Sequence, residues 1–335
     1  MPVHAARLAA QLLSGVPATT VHAVVERLLA VQAQELRGAR LAVRSRSTGL
    51  SSAAVDAALA DGSLVVDWLH RGTLHLVQAR DHAWLHALTT PQLHVGNRRR
   101  LAQEGVSPEA AERGVVAVVR ALAGGPVGRA GLREAVASAH CPVAGQALVH
   151  VLLLTSLRGH VVRGPVVGGE QAFVLREDWL GPAPRVDREA ALTALAGRYL
   201  AGHGPADARD LARWTGVALG DARRGLASAG AVERPDGLLD LPGREAPPPL
   251  PPPRLLGPFE PLLLGWTSRS DVTGAHTLLV TSNGVFRAFA LVGGRAVATW
   301  SLARGAVTVV PLEPYADDVA AALAGDARQL LAWLS

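Results

Sequence analysis

The sequence predicts an α+β protein in which helix-rich repeats precede a small β-rich domain. Three observations support this prediction. Segments with helical apolar spacing end in short alternating strands, this plan recurs three times, and a run of prolines then precedes strands joined by two-residue turn signals. A chain of 335 residues suggests several packing units, and the 49% hydrophobic content is sufficient to fill their cores.

The first repeat is predicted over residues 1–92. Apolar residues recur at helical spacing over residues 4–14 and 20–31, and a third helix is expected over residues 51–60. Two strands follow over residues 64–68 and 73–77, around a polar tip at 70–72. Helices followed by a two-stranded ribbon are typical of a winged helix, a relative of the helix-turn-helix.

The same plan is predicted for residues 93–184 and 185–245. In the second repeat, a helix-turn-helix covers residues 107–140, a helix covers 147–157, and a hairpin pairs 159–163 with 171–175. In the third, helices cover residues 187–200 and 219–229 on either side of a helix and turn at 204–216, and a ribbon covers 232–241. We therefore predict three tandem winged helices that have diverged in sequence.

A proline-rich linker at residues 246–253 separates these repeats from the β-rich domain at 254–335. Strands are predicted over residues 277–280, 285–292, 296–301 and 306–310. The dipeptides Asn283-Gly284 and Gly293-Gly294 are strong hairpin signals. A closing helix is expected over residues 315–334.

Composition favours a polyanionic partner and argues against several kinds of cofactor. All 33 basic residues are arginine, lysine is absent, and the net charge is +5; arginine is a forked donor to phosphates and base edges. The single cysteine excludes an internal disulfide and a cysteine-based metal site, and no zinc-binding histidine motif or nucleotide-binding loop occurs. Without a secretory signal or a long apolar run, we expect a cytoplasmic, nucleoid-associated protein without cofactor or metal.

Gln32 and Gln34 are the candidate catalytic residues. Side chains two positions apart point in nearly opposite directions on a helix, whereas in an extended chain they share a face. Both amides can therefore act together only where the helix ends. A pair of amides can hold a water molecule but cannot strongly deprotonate it. This suits a substrate whose leaving group is already positively charged. The alternative is a pair of surface glutamines beside arginines.

Basic and aromatic residues after this pair are candidates for contacts with DNA. A wing tip with histidine and arginine beside a tryptophan fits a DNA groove, although a solvated turn with a half-buried tryptophan is an alternative. The triple arginine fits phosphates, or else a solvated helix face. The DNA-binding candidates are Arg37, Arg40, Arg44, Trp68, His70, Arg71, His75, Arg98, Arg99 and Arg100.

Several segments resemble the AlkZ/YcaQ-type DNA glycosylases, which are tandem winged-helix proteins with a C-terminal β domain. The resemblance is carried by residues 29–37 (LAVQAQELR), 71–77 (RGTLHLV) and 81–84 (DHAW). It continues in residues 256–265 with Arg269, a further DNA-contact candidate, and in residues 294–300. Glu260 stands where the family more often has aspartate, and Ala298 stands where glycine is common.

The resemblance implies hydrolysis of the N-glycosidic bond of N7-alkylated guanine in double-stranded DNA, including bulky natural-product adducts or crosslinks in antibiotic self-resistance. Gln32 and Gln34 would then position a water molecule near C1′. The absence of lysine predicts a monofunctional enzyme, in which only the N-terminal amine of Met1 or Pro2 could form a Schiff base. We expect a monomer. The alternative is a non-catalytic winged-helix regulator or damage sensor, for which the glutamine pair has no use.

Overall fold

The computed structural model describes residues 3–281 and 284–335 and has the predicted α+β composition. The chain packs as two units: one combines Met1–Val55 with Leu192–Ser335, and the other is Asp56–Ala191. The division into three winged helices and a β-rich domain stays a prediction. No helix in the described residues is long and apolar enough to cross a membrane.

The N-terminal segment differs from the prediction at the glutamine motif. Its elements are α1 (Val3–Ala10), α2 (Val21–Leu28), the short strand β1 (Val31–Gln32), α3 (Leu36–Arg44) and α4 (Ser52–Ala60). The helix expected over residues 20–31 ends at Leu28, because Leu29 has a φ of 63° that interrupts helical geometry. Helix α3 lies in the arginine-rich stretch, for which no helix was predicted.

The unit Asp56–Ala191 contains a four-stranded antiparallel arrangement. Its elements are β2 (Leu64–Leu69), β3 (Thr73–Gln78), α5 (Ala79–Thr89), α6 (Leu93–Gln103), α7 (Pro108–Leu122), α8 (Arg129–Ser138), α9 (Ala147–Leu157), β4 (Val161–Val167), β5 (Glu170–Leu175) and α10 (Arg176–Leu180). The two hairpins that form the sheet were predicted, and their strands lie in the order β3-β2-β4-β5. Helices α5, α6 and α10 were not predicted as elements, whereas α9 has the predicted bounds.

The chain from residue 188 onward forms helices and then a second antiparallel sheet. Its elements are α11 (Arg188–His203), α12 (Ala208–Thr215), α13 (Leu219–Ser228), β6 (Val232–Glu233), β7 (Leu239–Asp240), β8 (Arg254–Leu256), α14 (Ser270–Thr273), β9 (Phe289–Val292), β10 (Arg295–Ala303), β11 (Ala306–Pro311) and α15 (Asp317–Leu334). The sheet has the strand order β11-β10-β9-β8, and the Gly293-Gly294 turn joins β9 to β10 as predicted.

Two strand predictions near residue 280 were wrong in part. Residues Thr277–Leu279 form a 3-10 turn, and the strand expected from residue 285 begins at Phe289. Between them, in the part of the chain that the structure describes, Val280 and Phe286 form an isolated antiparallel bridge. Asn283, which belongs to the other predicted hairpin signal, Asn283-Gly284, lies outside the described residues.

The two ends of the chain share one hydrophobic core. Leu41 of α3 packs with Leu255, Trp300 and Leu323, which belong to the C-terminal sheet and to α15. Gly38 allows the close approach of α3, because a Cβ at this position would lie 2.6 Å from the carbonyl oxygen of Pro258. Ala298, at the position where glycine is common, is fully buried in the same core.

A buried ion pair reinforces this junction. The guanidinium of Arg46 donates to the carboxylate of Glu260, and both side chains are fully buried. Arg46 also donates to the backbone and side-chain oxygens of Gln11 and to the Ala42 carbonyl, at 2.8–3.0 Å. Glu260 is therefore the partner of an arginine whose donors are all bound to acceptors.

Breaking this ion pair should strongly destabilise the protein. Glu260→Leu leaves the Arg46 charge buried without its counterion, and we expect a loss of about 3–5 kcal/mol in the free energy of unfolding. In Arg46→Met/Glu260→Leu no charge remains buried, so the double variant should lose less than the sum of the two single changes. The measurement is urea-induced unfolding at pH 7.

The matched control is the exposed ion pair between Arg158 and Glu112. Because solvent screens this pair, Glu112→Leu should cost less than about 1 kcal/mol. A loss in Glu260→Leu no larger than that of the control would show that the buried pair does not hold the junction together.

Candidate active site and nucleic-acid interface

Gln32 and Gln34 lie directly after the end of α2, in non-helical chain. Gln32 belongs to β1, and Glu35 before α3 is also extended, with φ −120° and ψ 121°. Gln32 is 7% exposed, whereas Gln34 is exposed. The motif therefore lies in non-helical chain, with the Gln32 side chain buried and the Gln34 side chain at the surface. Its catalytic role stays a prediction.

The arginines of α3 differ in their exposure to solvent. Arg37 is exposed and Arg40 is half-buried. Arg44 instead forms a bidentate ion pair with Asp326 of α15, at 2.6 and 3.1 Å, and its side chain is 8% exposed. The predicted phosphate contact of Arg44 is thus corrected to a structural ion pair, because its guanidinium is already bound to a carboxylate.

In the unit Asp56–Ala191, the aromatic part of the predicted wing tip is buried. Trp68 is 5% exposed, and its ring packs 6.2 Å from that of Phe173. The guanidinium of Arg163 lies 4.8 Å from the Trp68 ring centre, a cation–π arrangement. Trp68 is therefore a core side chain in this structure, neither an exposed nor a half-buried one.

His70 and His75 are buried as well, with ring centres 4.4 Å apart. Burial lowers the pKa of His75 to about 3, so its ring is neutral at physiological pH and cannot act as a cation for phosphate. At the same tip Arg71 is exposed. The predicted DNA contacts of Trp68, His70 and His75 are corrected to packing roles, because these side chains are enclosed by the protein, while that of Arg71 stays a prediction.

The triple arginine lies on the surface of α6. Arg98, Arg99 and Arg100 are all exposed. The preceding Asn97 is buried and exchanges hydrogen bonds with His150 of α9, at 2.8 and 3.0 Å. This anchor fixes the rotation of α6, so three guanidiniums reach solvent from a rigid helix.

Arg269 is half-buried beside the C-terminal sheet. Its Nε donates to the Leu263 carbonyl at 3.2 Å, and its guanidinium lies 5.3 Å from the ring centre of Phe286. Burial, and secondarily the charge of Arg213, lower its pKa. Arg269 remains a cation with part of its surface open to solvent, and its contact with DNA stays a prediction.

A buried carboxylate network was missed at the sequence level. Asp67 of β2 is 1% exposed, accepts hydrogen bonds from Ser156 Oγ and the Trp68 N–H, and lies 2.8 Å from Nε2 of His82. His86 binds the Ser156 carbonyl through Nε2 at 2.9 Å. The network ties β2 to α5 and α9. The sequence did contain a signal for it, because Asp67 is the one acidic residue in an otherwise apolar strand. A carboxylate buried in such a strand needs hydrogen-bond partners.

The described residues contain no cluster of three or more histidine, cysteine or acidic side chains that could hold a metal ion.

Comparisons with known proteins show the following. The model of the family described as "DNA glycosylase AlkZ-like" matches residues 25–333, which include both glutamines. Among solved structures, the Streptomyces sahachiroi DNA glycosylase AlkZ is similar to this chain, with 24% sequence identity and a TM-score of 0.79. The likeness covers 99% of this chain and 95% of that one, and at this identity it establishes the fold. No curated protein matches the sequence.

Proposed function

Because the chain belongs to the AlkZ-like DNA glycosylase family, we propose that it is a monofunctional, metal-independent glycosylase for N7-alkylated guanine. Its substrates would include bulky natural-product adducts or crosslinks in the duplex, as in self-resistance to a DNA-alkylating antibiotic. The observation that carries this proposal is the Gln32-Ala33-Gln34 segment, which lies in non-helical chain immediately after α2.

The proposed reaction needs little from the protein beyond positioning. Alkylation at N7 makes guanine a cationic leaving group, so the bond to C1′ is weak and the transition state resembles an oxocarbenium ion. Amide groups can orient a water molecule towards C1′ by donating and accepting hydrogen bonds, without removing its proton before the bond breaks. Buried Gln32 would fix the geometry, and exposed Gln34 would meet the substrate.

The exposure of Gln34 supports bulky adducts as substrates. Many enzymes that act on DNA bases enclose a flipped base in a snug pocket, which a large adduct cannot enter. A catalytic amide at the surface can instead reach C1′ while the adduct stays outside the protein. This reasoning covers crosslinks too, since both strands would remain outside.

The absence of lysine supports a monofunctional enzyme. A glycosylase that also cleaves the backbone forms a Schiff base between an amine and C1′, and arginine is too basic to act as that nucleophile. The chain has 33 basic residues and all are arginine. The remaining amine is the N-terminus, at Met1 or Pro2, which lies outside the described residues.

We propose that exposed arginines bind the phosphates of duplex DNA, the expected partner in the nucleoid. Each would release condensed counterions on binding. The candidates are the exposed Arg37, Arg71, Arg98, Arg99 and Arg100, with partly exposed Arg40 and Arg269.

Replacing either glutamine should slow base release strongly while leaving DNA binding intact. We expect Gln32→Ala and Gln34→Ala each to lower the single-turnover rate of N7-methylguanine release about 10- to 100-fold, and the double variant by about 10²–10³. The assay uses alkylated duplex DNA, with free base quantified by mass spectrometry and affinity measured on the same duplex. Gln146→Ala, which removes an exposed glutamine of the other unit, is the matched control.

The strand products of this assay test the monofunctional mechanism. Wild-type protein should leave an intact backbone that breaks after alkali, and borohydride should trap little protein on the DNA. Full activity in the double variant would eliminate the glutamine site. No release of the methylated base, and none from duplex with a bulky N7-guanine adduct, would contradict the substrate class.

Truncating an arginine of α6 should weaken binding to every DNA sequence. Arg99→Ala removes one phosphate contact, so the slope of log affinity against log salt should fall by about one. Arg328→Ala is the control, because Arg328 is an exposed arginine on α15, outside the proposed contact set. Equal slopes for wild type and Arg99→Ala would exclude Arg99 from the phosphate-binding surface.

A further inference from the structure

The end of α2, four residues before Gln32, is held by α11. The last carbonyl groups of a helix lack partners within the helix and need donors from elsewhere. Arg198 of α11 supplies one, because its Nη2 donates to the Glu26 carbonyl at 2.9 Å. A cation at this end of α2 also complements the helix dipole.

One turn further along α11, Gly202 lies against the same end of α2. A Cβ at Gly202 would overlap the carbonyl oxygen of Arg27 and lie 3.1 Å from its carbonyl carbon and 3.4 Å from Cα of Leu28. These are backbone atoms, which cannot rotate away as the tip of a flexible side chain can. Residues four apart share one face of a helix, so Arg198 and Gly202 form a single contact surface.

The chain between this contact and Gln32 leaves little room for adjustment. Leu29 has φ 63° and ψ −50°, a strained conformation that a non-glycine residue keeps only where its surroundings impose it. Its side chain is fully buried. The N–H of Ala30 donates to the Leu28 carbonyl at 2.8 Å, so the chain reverses within two residues. The position of the α2 end therefore sets the position of β1.

Helix α11 is itself fixed from its other side. The Tyr199 hydroxyl donates to the Gly265 carbonyl at 2.7 Å, and Trp266 Nε1 donates to the His203 carbonyl at 2.9 Å. The rings of Tyr199 and His203 stack with centres 4.8 Å apart. This helix thus provides a rigid reference for the end of α2.

We infer that Arg198 and Gly202 are positioning residues for the reaction: they set where α2 ends and thereby aim Gln32 and Gln34 at the substrate. Neither residue belongs to the glutamine motif, and both act through the backbone of Glu26, Arg27 and Leu29. The inference rests on the proposed function, since it takes the two glutamines to be the catalytic groups.

A matched control variant can show whether any displacement of α11, rather than its contact with α2, lowers the rate. Gly225 of α13 approaches α11 at another point, where a Cβ would lie 2.7 Å from the Leu192 carbonyl oxygen. Gly225→Ala therefore forces the same kind of backbone displacement on α11 as Gly202→Ala does, but at a point that does not involve α2.

The experiment compares Gly202→Ala, Gly225→Ala, Arg198→Ala and Arg198→Lys in the full chain, at a temperature where thermal melts show each to be folded. Single-turnover base release is measured over a range of protein concentrations, which separates the saturated rate from the half-saturating concentration. Gly202→Ala should lower the saturated rate about 10-fold or more, because small misplacements of reacting groups are costly. Its half-saturating concentration should change less than about threefold.

Gly225→Ala should keep the saturated rate of the wild type. Arg198→Ala should lower that rate several-fold, and Arg198→Lys should recover most of it, because lysine can still donate to the Glu26 carbonyl. Should Gly202→Ala fail to fold, the Arg198 pair decides alone. Equal rate losses in Gly202→Ala and Gly225→Ala, or in Arg198→Ala and Arg198→Lys, would overturn the inference.

Amide hydrogen exchange separates this inference from the proposed function. Residues 29–34 should exchange faster in Gly202→Ala and Arg198→Ala than in wild type or Gly225→Ala, whether or not base is released. If exchange rises as expected while Gln32→Ala retains full activity, the proposed catalytic site is wrong, but Arg198 and Gly202 do position the end of α2. If Gln32→Ala has lost activity while exchange and rate are unchanged in the Arg198 and Gly202 variants, the positioning role is wrong and the proposed catalytic site is retained.

Discussion

The fully buried ion pair between Arg46 and Glu260 is the constraint on which the unit built from the two chain ends depends. A guanidinium can be buried when its donors have well-placed acceptors. For Arg46 those acceptors come from the segment after α1, from the end of α3 and from the chain after β8. Parts of the sequence more than 200 residues apart must therefore come together, and α3 is fixed behind the glutamine motif.

The glutamine segment is consequently held at both ends. On its C-terminal side, α3 is secured by Arg46, by the Arg44–Asp326 ion pair and by Leu41 in the shared core. On its N-terminal side, the end of α2 rests on α11. A short extended segment between two fixed helices can present amides with little conformational freedom. This matters because a site without a strong base depends on preorganisation for its rate.

Sequence patterns correctly predicted the helices and hairpins that neighbouring residues specify on their own. The hairpins around residue 70 and residue 168 and helix α9 were confirmed, since alternation or helical spacing alone specifies them. The early end of α2 depends on the positive φ of Leu29, which tertiary packing imposes on a residue with no such preference. Helix α3 was missed because glycine and arginines obscure its apolar face. The burial of Trp68 and Arg44 likewise follows from partners distant in sequence, Phe173 and Asp326, which a linear pattern does not reveal.

The pH dependence of single-turnover base release at saturating protein is the sharpest test of catalysis by Gln32 and Gln34. Amides do not titrate, and an N7-alkylated guanine stays cationic as long as its N1 proton is retained, so the rate should be constant between about pH 5 and 6.5. The pKa values of buried His75 and His203 are about 3, so their rings stay neutral throughout this interval. A bell-shaped profile or a tenfold change per pH unit within this interval would show that a titrating acid or base of the protein performs the chemistry and would contradict catalysis by Gln32 and Gln34.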